Sequence, residues 1–290
     1  MPTPTVTDQL DASLPTAISS ARITREQEGD MTNLVEKRTL PEGTGDTWRE
    51  VSYAKMVAMA INETTTNDNI QQVSDTAFTI KPTMVQIATM LTDKVGRNIT
   101  KNGLREIGKL GQNAIQRKKN VDGLTTIDGT TSTQLGSAGS ALTFGLVAAG
   151  VSNIRGNTTE PGHGPYRFVH HPFSMKDIYD QFTAPIGTYD ISEGATARIF
   201  REGFKGMISE AQSFEIGDLT IDSAVDAKGG VFAQEGIVLV QEMSPRMETE
   251  RMPRIGGGST IITHTDSYAY GIRQNQWVQE IIADATAPTS

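Results

Sequence analysis

The chain has 290 residues and a mass of 31.3 kDa, long enough for one large domain or two modest ones with a real core. It contains no cysteine, which excludes disulfides, thiolate catalysis and every cysteine-ligated zinc or iron–sulfur site, and suits a reducing compartment. A net charge of -8, from 26 Lys+Arg against 34 Asp+Glu, argues against a protein that coats nucleic acid. Only 37% of the residues are hydrophobic and 28 are glycine, which points to long loops and extended arms instead of one tight globule.

The opening residues carry no basic-then-apolar pattern of a secretory signal. Nowhere does the chain hold the run of about 18 apolar residues that a bilayer span needs. The longest weakly polar stretch, residues 141–151, is broken by Thr143, Gly145 and Gly150. The chain reads as soluble, with no membrane partner. Its first thirty-odd residues are polar, with scattered Leu10, Leu14, Ile18 and Ile23. A short helix fits residues 14–25, but no core does. Two readings stand: a disordered tail, or an arm that orders against a neighbouring subunit.

Pro41, Gly43 and Gly45 open a turn, and TWREVSY at residues 47–53 then alternates with the period of a strand. Residues 62–69, rich in Asn, Thr and Asp, read as a loop tip, and residues 73–80 alternate again before Pro82. Together they predict a long β-hairpin. A two-stranded ribbon is marginal in water, so this one must lean on another surface. Residues 83–91 are apolar enough for a core strand or a short helix, and the strand is favoured.

The clearest helix follows. Asn98 caps it, and Ile99, Leu104, Ile107, Leu110, Ala114 and Ile115 share one stripe of a rod ending near Val121. Arg117, Lys118 and Lys119 then fall at its C-terminus, where they complement the macrodipole. Gly103, Gly108 and Gly111 leave room for close packing of a neighbour.

A Gly/Ser/Thr-rich passage at 128–140 leads to a second helix at 141–155. Residues 165–171 read as a buried strand, and Ser174 as the cap of a short helix to Phe182. Glycine-punctuated strands fill 203–219. Residues 229–243 combine a turn or short helix with a strand at 236–240. Two more strand candidates, 259–264 and 269–273, precede a closing apolar stretch at 277–282. No repeat at a period of 20–50 residues stands out.

Chemistry is hard to find. Gly256–Gly258 precede Ser259 and Thr260 but no lysine, so the phosphate-binding GxxxxGK[ST] is absent, and GxGxxG is absent too. A hairpin connection is the better reading of those glycines. His170 and His171 are adjacent in a predicted strand, so they face opposite ways and cannot chelate one ion together. His163 and His264 stand alone, and no HExxH or GxSxG occurs. No catalytic, cofactor-binding or metal-binding residue is therefore assigned. The alternating charges around Arg246, Glu248, Glu250, Arg251 and Arg254 fit a solvated face or an intersubunit ion-pair strip.

The order of elements resembles the major capsid proteins of tailed bacteriophages, whose Hong Kong 97-like fold is shared with encapsulin shells. The likeness runs from the polar arm and two-stranded loop through the long helix and GPYRFVHHPFSMKDIYDQF. It ends with GGVFAQEGIVLVQE and the strand pair containing YAYGIRQNQ. It implies an α+β fold with an N-arm at 1–40 and an extended E-loop at 41–82 that overlaps the next subunit. A peripheral domain with its spine helix would occupy 83–124, completed by return strands in 236–290, and an axial domain would fill 125–235. Trp48, Arg49, Glu50 and Lys55 are then expected in E-loop contacts.

The resemblance further implies a non-enzymatic subunit whose main partner is itself, in the hexamers and pentamers of an icosahedral head. That head would enclose double-stranded DNA without sequence-specific binding, locating the protein in the virion after assembly in the host cytoplasm. Without a hundred-residue extension before the arm, scaffolding is expected from a separate protein or not at all. Portal and decoration proteins are further possible partners. An encapsulin-like compartment around a cargo enzyme is the alternative.

Overall fold

The computed structural model describes residues 31–63, 70–98, 101–183 and 206–289. The expected helix at 14–25 lies outside the described residues, as do most of the loop tip and residues 203–205. In chain order, α1 (Met31–Leu34) and β1 (Glu36–Thr39) precede the hairpin of β2 (Trp48–Tyr53) and β3 (Asp75–Ile80). Next come β4 (Thr83–Thr92), α2 (Asp93–Asn98) and the long helix α3 (Lys101–Asp128). The middle contains β5 (Leu135–Gly136), α4 (Phe144–Arg155), β6 (Tyr166–His170), α5 (Pro172–Thr183), β7 (Met207–Ile208) and β8 (Ala211–Glu215). β9 (Asp226–Ala233), β10 (Ile237–Met252), β11 (Ser259–Ile272) and β12 (Val278–Asp284) close the chain.

Three sheets result among the described residues. A four-stranded sheet runs β1-β10-β11-β4, a six-stranded sheet runs β5-β12-β9-β6-β8-β7, and β2 pairs with β3 alone. The class is α+β, as expected. β10 and β11 form one long antiparallel hairpin, so the two strand candidates at 259–264 and 269–273 are a single strand. The polar interruption between those candidates, Thr265 to Ser267, is buried instead of turning, with Asp266 facing Lys119 of α3 while Thr265 and Ser267 bond to Gln86 and Glu242 of the neighbouring strands. The glycines make the hairpin's turn: Gly256, Gly257 and Gly258 all have positive φ, which side chains resist. A Cβ on Gly258 would also fall 2.4 Å from Asp93 Oδ2.

Other expectations are corrected. α3 continues to Asp128 and is about 42 Å long, so Arg117, Lys118 and Lys119 sit mid-helix and not at its end. In its last turns Thr125 and Thr126 donate their hydroxyls to the carbonyls of Val121 and Asp122, each at 2.9 Å. Leu110 is exposed and Ile115 is buried, so the apolar stripe is only partly covered. Gly111 lies against the His264 ring, but Gly108 faces open space. Residues 229–233 belong to strand β9, and only residues 234–236 form a short 3-10 turn. Ser174 does not cap α5. That helix starts at Pro172, whose missing N–H suits a first turn, and His171 Nδ1 accepts the Phe173 N–H.

The second half of α3 joins the two larger sheets. Leu124 and Ile127 meet Val169 and Phe232 from the six-stranded sheet, and Leu239 and Tyr268 from the four-stranded one. A second core lies between α4, α5 and the six-stranded sheet, around Phe168, Ile154, Met175 and Ile281. Lys119 points inward from α3: its Nζ lies 2.9 Å from Asp266 Oδ2, with side-chain exposures of 5% and 0%. It also stands 4.7 Å from the centre of the Tyr268 ring, whose hydroxyl donates to Asp122 at 2.9 Å. Removing one partner leaves the other charge buried and unpaired. Lys119→Met should therefore cost about 3–5 kcal/mol of unfolding free energy, read from a denaturant titration.

His170 is fully buried at the end of β6. Its Nδ1 accepts the His171 N–H at 3.0 Å, while Nε2 lacks a well-formed partner. Burial lowers its pKa to about 4. The folded chain then binds fewer protons than the unfolded chain between about pH 4 and the unfolded value near 6.5. Stability should fall as pH drops through that window, by up to about 1.4 kcal/mol per unit from this group. Chemical denaturation across pH 4–7 checks this, and His170→Asn, which keeps an acceptor without the titration, should flatten that part of the profile.

Candidate assembly surfaces

The β2–β3 hairpin stands out from the body. Its ladder runs from Trp48 opposite Ile80 to Tyr53 opposite Asp75. Only its base is covered: Trp48 and Phe78 meet edge to face and pack on Leu40, Ile80, Val238 and Val240. Glu50, two residues further out on the same face, accepts from Arg273 Nε at 3.0 Å. Arg273 also donates to Glu36 at 2.5 Å and to the Glu235 carbonyl at 2.7 Å. Burial opposes ionisation of Glu36, but Arg273 and Arg38 outweigh it and hold its carboxyl below the usual range.

Beyond Glu50 the described part of the loop is bare. Val51, Tyr53, Met56, Val57, Met59, Ile61, Ile70 and Val73 are all exposed, Ile70 at 93%. Isolated exposed apolar residues are ordinary; a run of them along one projecting segment marks an interaction surface. The Gln71 amide clamps the Val57 backbone at both its N–H and its carbonyl, and so braces the two limbs across the extended part. Of the four loop residues singled out from the sequence, Trp48 and Glu50 are thus held within the chain's own base. Arg49 and Lys55 are exposed.

β10 offers a different surface. It pairs with β1 only through Gln241, so among the described residues its second half bonds to β11 and leaves its other edge open. The alternating charges lie on this projecting half but do not form one strip. Arg246, Glu248 and Glu250 share one face, with Arg246 3.4 Å from Glu248. Arg251 points to the other face and reaches Asp93 of α2 at 2.7 Å, while Arg254 lies in the exposed turn. Between this half and α3 runs a groove of about 470 Å³, lined by Ile115, Met247, Ile262 and His264 with Lys109 and Arg246 at its sides.

No protein-family model and no curated protein matches the chain. Solved structures do. The capsid of cyanophage P-SCSP1u superposes with a TM-score of 0.71 at 11% identity, covering 97% of this chain and 96% of that one. A chain from Mycobacterium phage Che8 gives 0.70 at 14% identity, with coverages of 93% and 96%. The SrpI encapsulin of Synechococcus elongatus gives 0.67 at 9% identity over 99% of each chain. The chain has the Hong Kong 97-like capsid fold.

On that fold, α3, β10 and β11 supply what residue patterns alone did not reveal. Arg273 is far in sequence from Glu50 and Glu36, and Asp93 is far from Arg251, so neither pairing could be read along the chain. The groove arises only where α3 crosses the hairpin. Among the described residues no group of His, Asp or Glu is placed to hold a metal, and no helix is long and apolar enough to cross a membrane. Because the Arg246–Glu248 and Arg251–Asp93 pairs are exposed, each contributes less than about 1 kcal/mol. Arg246→Ala and Arg251→Ala should therefore each shift the subunit's unfolding free energy by no more than about that amount in a urea titration.

Proposed function

We propose that this chain is the major capsid protein of a tailed double-stranded DNA phage, and that it assembles itself, as hexamers and pentamers, into an icosahedral head. The observation that carries the reading is a capsid fold over nearly the whole chain combined with a projecting, apolar loop that the subunit leaves bare. Burying such surface requires another copy, and closed symmetric assemblies are the usual outcome of self-complementary subunits. The role is structural and not enzymatic.

In this reading residues 1–40 act as the arm and 41–82 as the loop that lies over the next subunit. Residues 83–124 and 236–290 contribute the peripheral part, and 125–235 the axial part. Arg49 and Lys55 would engage the neighbour directly, while Trp48 and Glu50 would act from the base of the loop. Arg246, Glu248, Glu250 and Arg254 would face other copies along the open half of β10, with Arg251 braced on Asp93. The net charge of -8 suits a wall that encloses DNA without gripping it. Portal and decoration proteins, with a separate scaffolding protein or none, would complete the particle, and the chain would reside in the virion.

The likeness to SrpI over 99% of both chains supports a second reading, a compartment shell around a protein cargo. Electron microscopy of the purified recombinant chain tests both against a non-shell protein. Closed particles, or free hexamers and pentamers, are expected; a monodisperse monomer at all concentrations would refute both. Particles of the phage type should further depend on the loop. Deletion of residues 46–75 should leave a cooperatively folded monomer that forms no particles, since the two larger sheets and α3 remain intact.

A further inference from the structure

We infer that Arg273 is a positioning residue that sets the angle at which the loop leaves the body. This rests on the shell reading for its consequence, but not for its geometry. Among the described residues of its two strands, the hairpin meets the body through Trp48, Glu50, Phe78 and Ile80, and Glu50 stands directly opposite Phe78 in the ladder. These two are the outermost contacts, because every residue of β2 and β3 beyond them is exposed. Phe78 and Ile80 lean on Gly271, at the smooth end of β11, and that apolar seat is a pivot more than a lock. Apolar contacts lack direction, whereas a charge-assisted hydrogen bond fixes both distance and angle.

Arg273 is itself rigidly held. Its side chain is only 13% exposed, and its guanidinium is divided among Glu50, Glu36 and the Glu235 carbonyl. Its backbone N–H donates to the Gly236 carbonyl at 2.9 Å. A planar fork with fixed donors can serve three acceptors on three separate elements at once; a lysine ammonium on a flexible stem cannot hold that geometry. The other ion pair at the base, Lys81 with Asp46 at 2.6 Å, has side chains 67% and 70% exposed, and exposed pairs impose little.

The consequence is mechanical. From Glu50 to the region of Asn62 the loop extends roughly 40 Å at about 3.3 Å per residue, so a change of about 10° at the base moves its end by about 7 Å. A neighbour receives the loop in register only if this angle is narrow. Through Glu36, the same guanidinium ties that angle to β1, the strand that follows the N-terminal segment.

The chain has no cysteine, so paired spin labels can be placed cleanly. With labels at Met59→Cys and Ser152→Cys in the full-length chain, pulsed electron resonance should give a narrow distance distribution. Arg273→Met and Glu50→Gln should each broaden it at least about twofold, given the length of that lever. Arg273→Lys should not restore it, while circular dichroism should show a cooperative fold in each case. Unchanged widths in both Arg273→Met and Glu50→Gln would overturn the assignment. Should Arg273→Met fail to fold, Glu50→Gln, whose side chain is far less buried, decides alone. If the unlabelled chain forms no particles, the shell reading fails while the distance widths still judge Arg273.

Discussion

Everything else in the subunit hangs on the inner face of α3. Its second half lies against both larger sheets at once, with Leu124 and Ile127 supplying the apolar contact. One turn earlier, Lys119 and Asp266 bring two charges into a place where neither is tolerable alone. The pair is weak evidence for added stability, because desolvation cancels much of the attraction. Its effect is on register. Lys119 meets Asp266 at one rotation and one translation of the helix, and the Tyr268–Asp122 hydrogen bond repeats the constraint from the next turn. The N–H of Met31 donating to Asn120 then pins the start of the described chain to the same helix.

That fixed body explains how the loop can be so bare. A two-stranded ribbon does not hold together in water unaided, and most of this one has only solvent against its side chains. It survives because its base borrows a third partner: β10 and β11 supply Val238, Val240 and Gly271, and Arg273 supplies direction. The 37% hydrophobic content follows from the same arrangement. Two modest cores and a seam on α3 bury what they can. The described apolar residues of the loop lie outside those cores and stay exposed.

Much of this was legible in the sequence, for reasons that differ by element. The hairpin, β4 and β6 alternate or run apolar between strong turn residues, so local chemistry specifies them. The Gly256–Gly258 turn was legible because three glycines in series have little other use. The end of α3 was not, since a basic cluster mid-helix imitates a C-terminal signal, and only tertiary burial of Lys119 reveals the difference. β11 reads as two pieces because Thr265, Asp266 and Ser267 look like a break; all three are buried, and Asp266 has Lys119 of α3 to meet. Of the loop residues, Trp48 and Glu50 were visible as a strand face, but their partners Phe78 and Arg273 come from elsewhere in the chain. Pairings made by the fold leave no spacing to read.

The open half of β10 completes the physical picture, because an exposed strand edge is a hazard. Unpaired N–H and carbonyl groups invite any extended segment, and a protein with such an edge risks uncontrolled pairing. This edge carries the devices that discourage it: register shifts between Gln241 and Arg246, a proline at Pro245, and charges of both signs along the residues that follow. An edge so guarded is closed to generic strands yet still able to receive a surface with matching charge and shape. The loop is the opposite case, apolar and unguarded but held at a set angle by Arg273. One surface rejects wrong partners through its chemistry, and the other avoids them through its geometry. A subunit with both can expose this much unsatisfied surface and still join only in a defined way.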